Sequence, residues 1–234
     1  MSIYNVSEKY INGKYLENNK TWHVEDSKWK SEKIYKILLE NNIIPKTLCE
    51  VGCGAGEILN QLSLKLNETD FFGYEISPQA FELCKTRQSE KLSFFQQNLL
   101  DDNYRIFDCL LCIDVFEHVE NYMGFIKSLK SKSKYKIFHI PIEINLISIL
   151  RGTLLKARND VGHLHYFTPE TAIATLEDCG YRILDRCYTN YFIDYGSNKL
   201  MGKIAKFMLK YPYAFWPDLM VKLMGGCSLL VVAE

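Results

Sequence analysis

Residues 47–56 read TLCEVGCGAG, and no other stretch restricts the fold of this chain so sharply. A short apolar run ends in the acid Glu50, and Gly52, Gly54 and Gly56 then occupy alternate positions. Glycine tolerates positive φ, so alternate glycines after a strand turn the backbone tightly and bring bare main chain against a ligand. The helix that follows aims its unbonded N–H groups and positive dipole end at any anionic group held there. The loop reads as the cradle of a nucleotide-type cofactor.

The spacing narrows the cofactor. A dinucleotide fingerprint, G-x-G-x-x-G, needs a glycine three places after the second one. Glu57 stands there instead, and the third glycine comes one place early. Later strand ends supply the rest of a nucleoside site. FFGYEIS ends in Glu75, an acid placed to accept hydrogen bonds from both hydroxyls of a ribose. Asn98-Leu99 offers a polar acceptor beside a backbone N–H, suited to the amino edge and ring nitrogen of adenine. Asp114-Val-Phe-Glu117-His118 follows a further apolar run and puts polar groups at the carboxyl edge of the sheet, where ligands bind in open α/β folds.

Strand and helix signals alternate around these motifs. The spacing predicts strands at Thr47–Val51, Phe71–Tyr74, Leu92–Gln96, Phe107–Ile113, Tyr135–Ile140, Tyr181–Tyr188 and Ser228–Ala233. It predicts helices at Ser27–Glu40, with Ser27 as N-cap, and at Glu57–Leu66, Pro78–Arg87, Tyr122–Lys130 and Pro169–Cys179. The fold class is α/β: a Rossmann-like, seven-stranded, mostly parallel sheet with helices on both faces. One domain over 1–234 is the expectation, with a helical arm at 1–44 and insertions at 141–166 and 198–226.

Basic and acidic residues balance at 28 each, so no global field draws the protein toward nucleic acid. Eight cysteines sit mostly in apolar runs and read as small core residues. Cys109 and Cys112 have CxxC spacing but lie in a strand, where residues three apart face opposite sides. MSIYNVSEKY carries no apolar signal core, and no run reaches the roughly 18 apolar residues of a membrane span. A cytoplasmic protein, monomeric or homodimeric, is the expectation.

Together these residues resemble the class I S-adenosylmethionine-dependent methyltransferases, in particular the small-molecule, type 11/12-like group with a D-x-x-E-H-V motif. The resemblance covers about residues 45–190, and CSLLVVAE looks like that family's final antiparallel strand. It implies S-adenosyl-L-methionine as cofactor and S-adenosyl-L-homocysteine as product. Glu50, Gly52, Cys53, Gly54 and Gly56 would hold the methionine part and ribose of the donor. Glu75, with Ile76 beside it, would bind the ribose diol. Asn98 and Leu99 would flank adenine, and Asp114 would sit near the donor's amino group. The family usually has Asp where this chain has Asn98.

Methyl transfer from a sulfonium is an in-line displacement, so the protein chiefly aligns a nucleophile and excludes water. A base is needed when the nucleophile is a hydroxyl of high pKa. The candidates are His118, His163 and His165; His139 reads instead as a core histidine with a satisfied hydrogen bond. Asp114, Glu117, His118 and a later histidine also resemble the ligands of some metal-dependent relatives, suited to a divalent ion such as Mg²⁺. Most relatives with this motif use it without metal, and none is assigned. The arm WHVEDSKWK places Trp22, His23, Trp29 and Lys30 where the family often has a lid, or pins the arm to the core.

The acceptor expected is a small molecule: a sugar, lipid-linked or natural-product hydroxyl or amine. RNA is the rival acceptor, and a donor-binding regulatory module without transfer is the rival from outside enzymes. A helix near 199–210 carries Lys199, Lys203, Lys206 and Lys210 on one face and Leu200, Ile204, Phe207, Met208 and Tyr211 on another. It reads as a cap with a solvated lysine face, membrane contact through 199–210 being the less favoured reading.

Overall fold

The structure is a computed structural model that describes residues 21–22, 24–196 and 200–234, side chains of 200–205 excepted. Tyr4, Tyr10, Tyr15, His23 and Lys199, and the side chains of Leu200, Lys203 and Ile204, lie outside the described residues. The first helix, α1, runs from Val24 to Glu40. An alternating series follows: β1 (Thr47–Val51), α2 (Glu57–Ser63), β2 (Asp70–Tyr74), α3 (Pro78–Cys84), β3 (Leu92–Phe95), β4 (Phe107–Ile113), α4 (Tyr122–Leu129) and β5 (Ser133–Ile142). Two short helices, α5 (Leu146–Arg151) and α6 (Thr153–Asp160), precede α7 (Pro169–Asp178) and β6 (Ile183–Thr189). The chain closes with α8 (Tyr191–Tyr195), α9 (Leu200–Phe215), α10 (Pro217–Met224) and β7 (Cys227–Ala233).

The seven strands form one sheet in the order β3-β2-β1-β4-β5-β7-β6. The first five pair in parallel, and β7 runs antiparallel between β5 and β6, as the sequence predicts for the last strand. Register decides where function can sit. Val51 pairs with Tyr74 and with Cys112, and Tyr74 with Phe95, so the residues just past these positions share one edge. The chain reverses at that edge between β1 and β4, the switch point where open α/β sheets bind ligands.

Two apolar cores cover the two sheet faces. Ile34, Ile37 and Leu38 of α1 and Leu59 and Leu62 of α2 pack on one face. Phe125, Ile126 and Leu129 of α4 and Ala172 and Leu176 of α7 pack on the other. Cys109 belongs to the first core and Cys112 to the second, as period-two alternation requires. All eight cysteines are free thiols and all but Cys187 are buried.

Several boundaries differ from the sequence reading. The helix at α1 starts at Val24, whose N–H donates to the Thr21 carbonyl, and Ser27 is buried inside it rather than capping it. The sixth strand starts at Ile183. Tyr181 instead turns into the core, where its hydroxyl donates to the Ile126 carbonyl at 2.8 Å. The helix of α3 tightens into a 3₁₀ turn at Lys85–Arg87. Residues 141–166 hold two helices split at Gly152, whose φ of 64° breaks the run. The 198–226 insertion also splits, at Trp216, into α9 and α10. Phe207, Met208 and Tyr211, on the face of α9 away from the lysines, are exposed at 67%, 68% and 56%.

Candidate active site

At the strand edge the Gly52–Gly56 loop is tied to the end of β2 through backbone bonds. The N–H groups of Gly52 and Cys53 both donate to the Tyr74 carbonyl, at 2.8 and 3.1 Å. All three glycines take positive φ, between 55° and 76°. A Cβ on Gly56 would strike the Phe94 ring at 2.5 Å and one on Gly52 would meet Val115 at 2.9 Å, so these two are fixed by packing. Gly54 differs, since a Cβ there would meet only Trp22, at 3.8 Å. Its bare backbone faces open space, which is where a ligand must approach.

That space is a cavity of about 500 Å³, lined by the loop, by Glu75, Ile76, Asn98 and Leu99, and by Asp114. Glu75 is buried and accepts two backbone N–H groups at 2.8 Å, from Gly54 on one oxygen and Ser77 on the other. Burial nevertheless holds its pKa above the usual carboxylate range, against those two bonds. Glu50 is buried with one carboxylate oxygen lacking a hydrogen-bond partner, and burial pushes its pKa well up, against the pull of Lys30. Asn98 caps the turn Leu99–Asp101 by accepting from the Leu100 N–H at 3.0 Å. Its second lone pair and its amide donors remain for a ligand.

Asp114 is the one strand-end residue other than glycine here with positive φ, 53°. One of its oxygens meets Lys30 Nζ at 2.8 Å and the other His139 Nδ1 at 2.7 Å. Burial opposes its ionisation, but His139 and Lys30 outweigh that and hold the carboxyl well below its ordinary pKa. Burial likewise opposes the Lys30 ammonium, which Asp114 and Asp26 together hold above its usual range. His139 is buried and donates or accepts at Thr189 Oγ1, 2.9 Å away, so it is a satisfied core histidine as the sequence reading has it. It also lines the cavity. Trp29 and Lys30 of α1 roof the same space, and the Trp29 Nε1–H donates to Asp194 Oδ2 at 2.6 Å. The arm is therefore both pinned to the core and part of the site.

Beyond Asp114 lies a second group of side chains. Glu117, His118 and His163 bring ligand atoms within 4.8 Å of one another. Neither oxygen of the fully buried Glu117 has a hydrogen-bond partner. Burial, with Asp114 and Glu143 nearby, drives the Glu117 pKa well above normal. The His118 Nδ1–H donates to the Gly162 carbonyl at 3.2 Å, and His163 Nδ1 meets Glu143 Oε2 at 2.7 Å. Each ring is thus oriented through Nδ1, and His118 Nε2 lies 3.9 Å from Glu117 Oε1. His165 lies apart: its Nε2–H donates to the Val119 carbonyl at 2.9 Å, its ring packs on Tyr122, and it is not among the cavity-lining residues. Asp114, with both oxygens engaged, is not in the cluster either.

Glu143, Asp26 and Thr189 were not singled out from sequence. Glu143 had a signal, since it stands just past Pro141 at the end of β5, on the same edge as the other strand-end acids. Asp26 and Thr189 had none; a helix and the far strand β6 deliver them by tertiary packing.

A glycine cradle at the switch point of a sheet with one antiparallel strand near its edge defines a Rossmann-like fold of the methyltransferase type. Residues 22–185 match the model of a methyltransferase-domain family, and the chain belongs to that family. The ubiquinone biosynthesis O-methyltransferase of Rickettsia typhi is 29% identical to it over 123 residues, which cover 51% of this chain and 48% of that protein. The chain spans about half the length of the curated relatives it matches. Among solved structures, a plantazolicin methyltransferase in complex with a desmethylplantazolicin analogue and SAH superposes with a TM-score of 0.60 at 16% identity, covering 97% of this chain and 93% of that one. The magnesium protoporphyrin IX methyltransferase of Synechocystis, also with bound SAH, gives 0.58 at 17% identity, covering 88% and 81%. At these identities the likeness is one of fold.

Proposed function

We propose that the protein transfers a methyl group from S-adenosylmethionine to a hydroxyl of a small-molecule acceptor. The carrying observation is that one cavity joins a nucleoside cradle, from Gly54 and Glu75 to Asn98, with the cluster Glu117, His118 and His163. The open face of Gly54 gives the donor backbone to lie against, and Glu75 gives the ribose diol its acceptors. That the rickettsial relatives are O-methyltransferases supports oxygen as the acceptor atom. A hydroxyl attacks a methyl carbon as its oxyanion, so a group that takes or offsets its proton accelerates the step. His163 suits this, because Glu143 orients its ring and stabilises the imidazolium that forms. Isothermal titration with S-adenosylhomocysteine, followed by labelled methyl transfer to a panel of phenols and sugars, tests the reading. Binding without transfer to any acceptor, RNA included, would leave a donor-binding regulatory module in its place.

The orphaned carboxylate of Glu117 favours a second reading of the same cluster, in which a divalent cation binds there. The fit is chemical: an acid and two imidazoles, each ring held from behind at Nδ1, as metal-ligating histidines are. Glu117, His118 and His163 would hold the ion, which supplies a Lewis acid for a bound hydroxyl. Mn²⁺ titration of wild type and Glu117→Gln decides: heat of binding lost in the variant supports the ion, and no binding to either removes it.

A further inference from the structure

The face that α5 and α6 share with α9 and α10 is unlike the rest of the surface. Among the described residues, nineteen large apolar side chains are exposed; eleven belong to these four helices, and a twelfth, Trp216, joins α9 to α10. Leu150, Leu155, Phe215 and Trp216 are each more than 60% exposed. Helix α10 packs against both α5 and α9, and α5 against α6, which gathers these exposed side chains on neighbouring helices. Scattered apolar residues are ordinary on a protein surface, but a contiguous patch marks an interaction site.

Charge tells what kind. The chain is neutral overall, yet residues 144–160 and 200–224 hold seven basic residues against two acidic ones, with Lys156 paired to Asp160 and Lys222 to Glu170 of α7. Lys210, Arg151 and Arg158 are exposed beside the apolar side chains. Protein interfaces deplete lysine, and a two-fold pairing would set this cationic face against itself. An anionic bilayer accepts both features at once. Aliphatic and aromatic side chains enter the boundary below the headgroups, with Trp and Tyr at the polar level and lysines and arginines on the phosphates. Among the described residues no helix is long and apolar enough to cross a membrane, so the contact is peripheral.

We propose that this face docks the protein on anionic phospholipid surfaces. Its position gives the docking a use. A second cavity, of about 390 Å³, lies under α5 and α6 and shares Val161, Gly226 and Cys227 with the donor cavity. Glu143, the partner of His163, lines it as well. A polar acceptor group presented at the bilayer surface would enter beside it toward the methyl donor; this part rests on the methyl-transfer reading, whereas the docking does not.

Sedimentation with phosphatidylcholine vesicles, with and without phosphatidylglycerol, tests the docking on the full chain. The expected result is co-sedimentation with the anionic vesicles only, weakened by high salt. The double variant Leu150→Glu/Phe215→Glu abolishes it, and Arg158→Glu/Lys210→Glu weakens it about tenfold. Both pairs are exposed, so titration with S-adenosylhomocysteine stays as in wild type and reports that the fold is intact. Wild-type protein left in the supernatant with both vesicle types overturns the proposal. So does a dimer in light scattering that the apolar variant converts to monomer, since the face is then a contact between two copies.

Discussion

The two halves of the cavity are built by different means. On the donor side, from β1 to β4, backbone does the shaping: three glycines at positive φ, paired N–H groups on Tyr74, and a carboxylate fixed by two amides. On the acceptor side, from Glu117 onward, side chains do it: His118 and His163 are aimed by a carbonyl and by Glu143, from segments far apart in sequence. A donor common to many enzymes demands one unvarying cradle, which backbone supplies. An acceptor particular to one enzyme needs parts that can be exchanged without rebuilding the sheet.

The sharpest way to break this comparison is Gly54→Val. The cradle has room for the fold to survive but none for side chain and ligand together. Donor affinity should fall by about 3 kcal/mol or more, with stability down by about 1–2 kcal/mol for the left-handed φ. Unchanged binding by calorimetry would show that the ligand approaches elsewhere. Glu75→Ala comes next, at about 1.5–3 kcal/mol of donor affinity, with some stability lost because Gly54 and Ser77 lose their acceptor.

Glu143→Gln moves the test to the acceptor side. Turnover should drop about 10- to 100-fold with donor affinity unmoved. Loss of donor affinity in this variant would mean that the two halves are not separable. The smallest effect is on pH. Burial raises the pKa of Glu50, Glu75 and Glu117, so the unfolded chain releases those protons first, from about pH 4.3 upward. The folded state therefore binds more protons than the unfolded one, and ligand-free stability falls as pH rises through this window. Melting temperature should be lower at about pH 8 than at about pH 5, and Glu117→Gln should flatten the slope.

The same division explains what the sequence disclosed. Gly52, Glu75, Asn98 and Asp114 were legible because strand ends in a parallel sheet meet at one edge, whatever the loops do. The pairing of His163 with Glu143, and the distance of His165 from the cavity, were not legible. Both depend on how two helices fold back between β5 and α7. The exposure of the apolar face of α9 was not legible, because helical periodicity reports amphipathicity without saying which side meets water. Lys30 was visible as part of an arm, but its tie to Asp114 needed α1 docked on the sheet.

The buried carboxyls have a consequence for turnover. A sulfonium donor brings a positive charge into a cavity whose unshielded acids welcome one. Once the methyl group leaves, the same sulfur is a neutral thioether, and Glu50 loses part of what made its ionised form tolerable. On the methyl-transfer reading, the neutral spent ligand would then be held less firmly than the cationic fresh one, a difference that titration of both ligands measures.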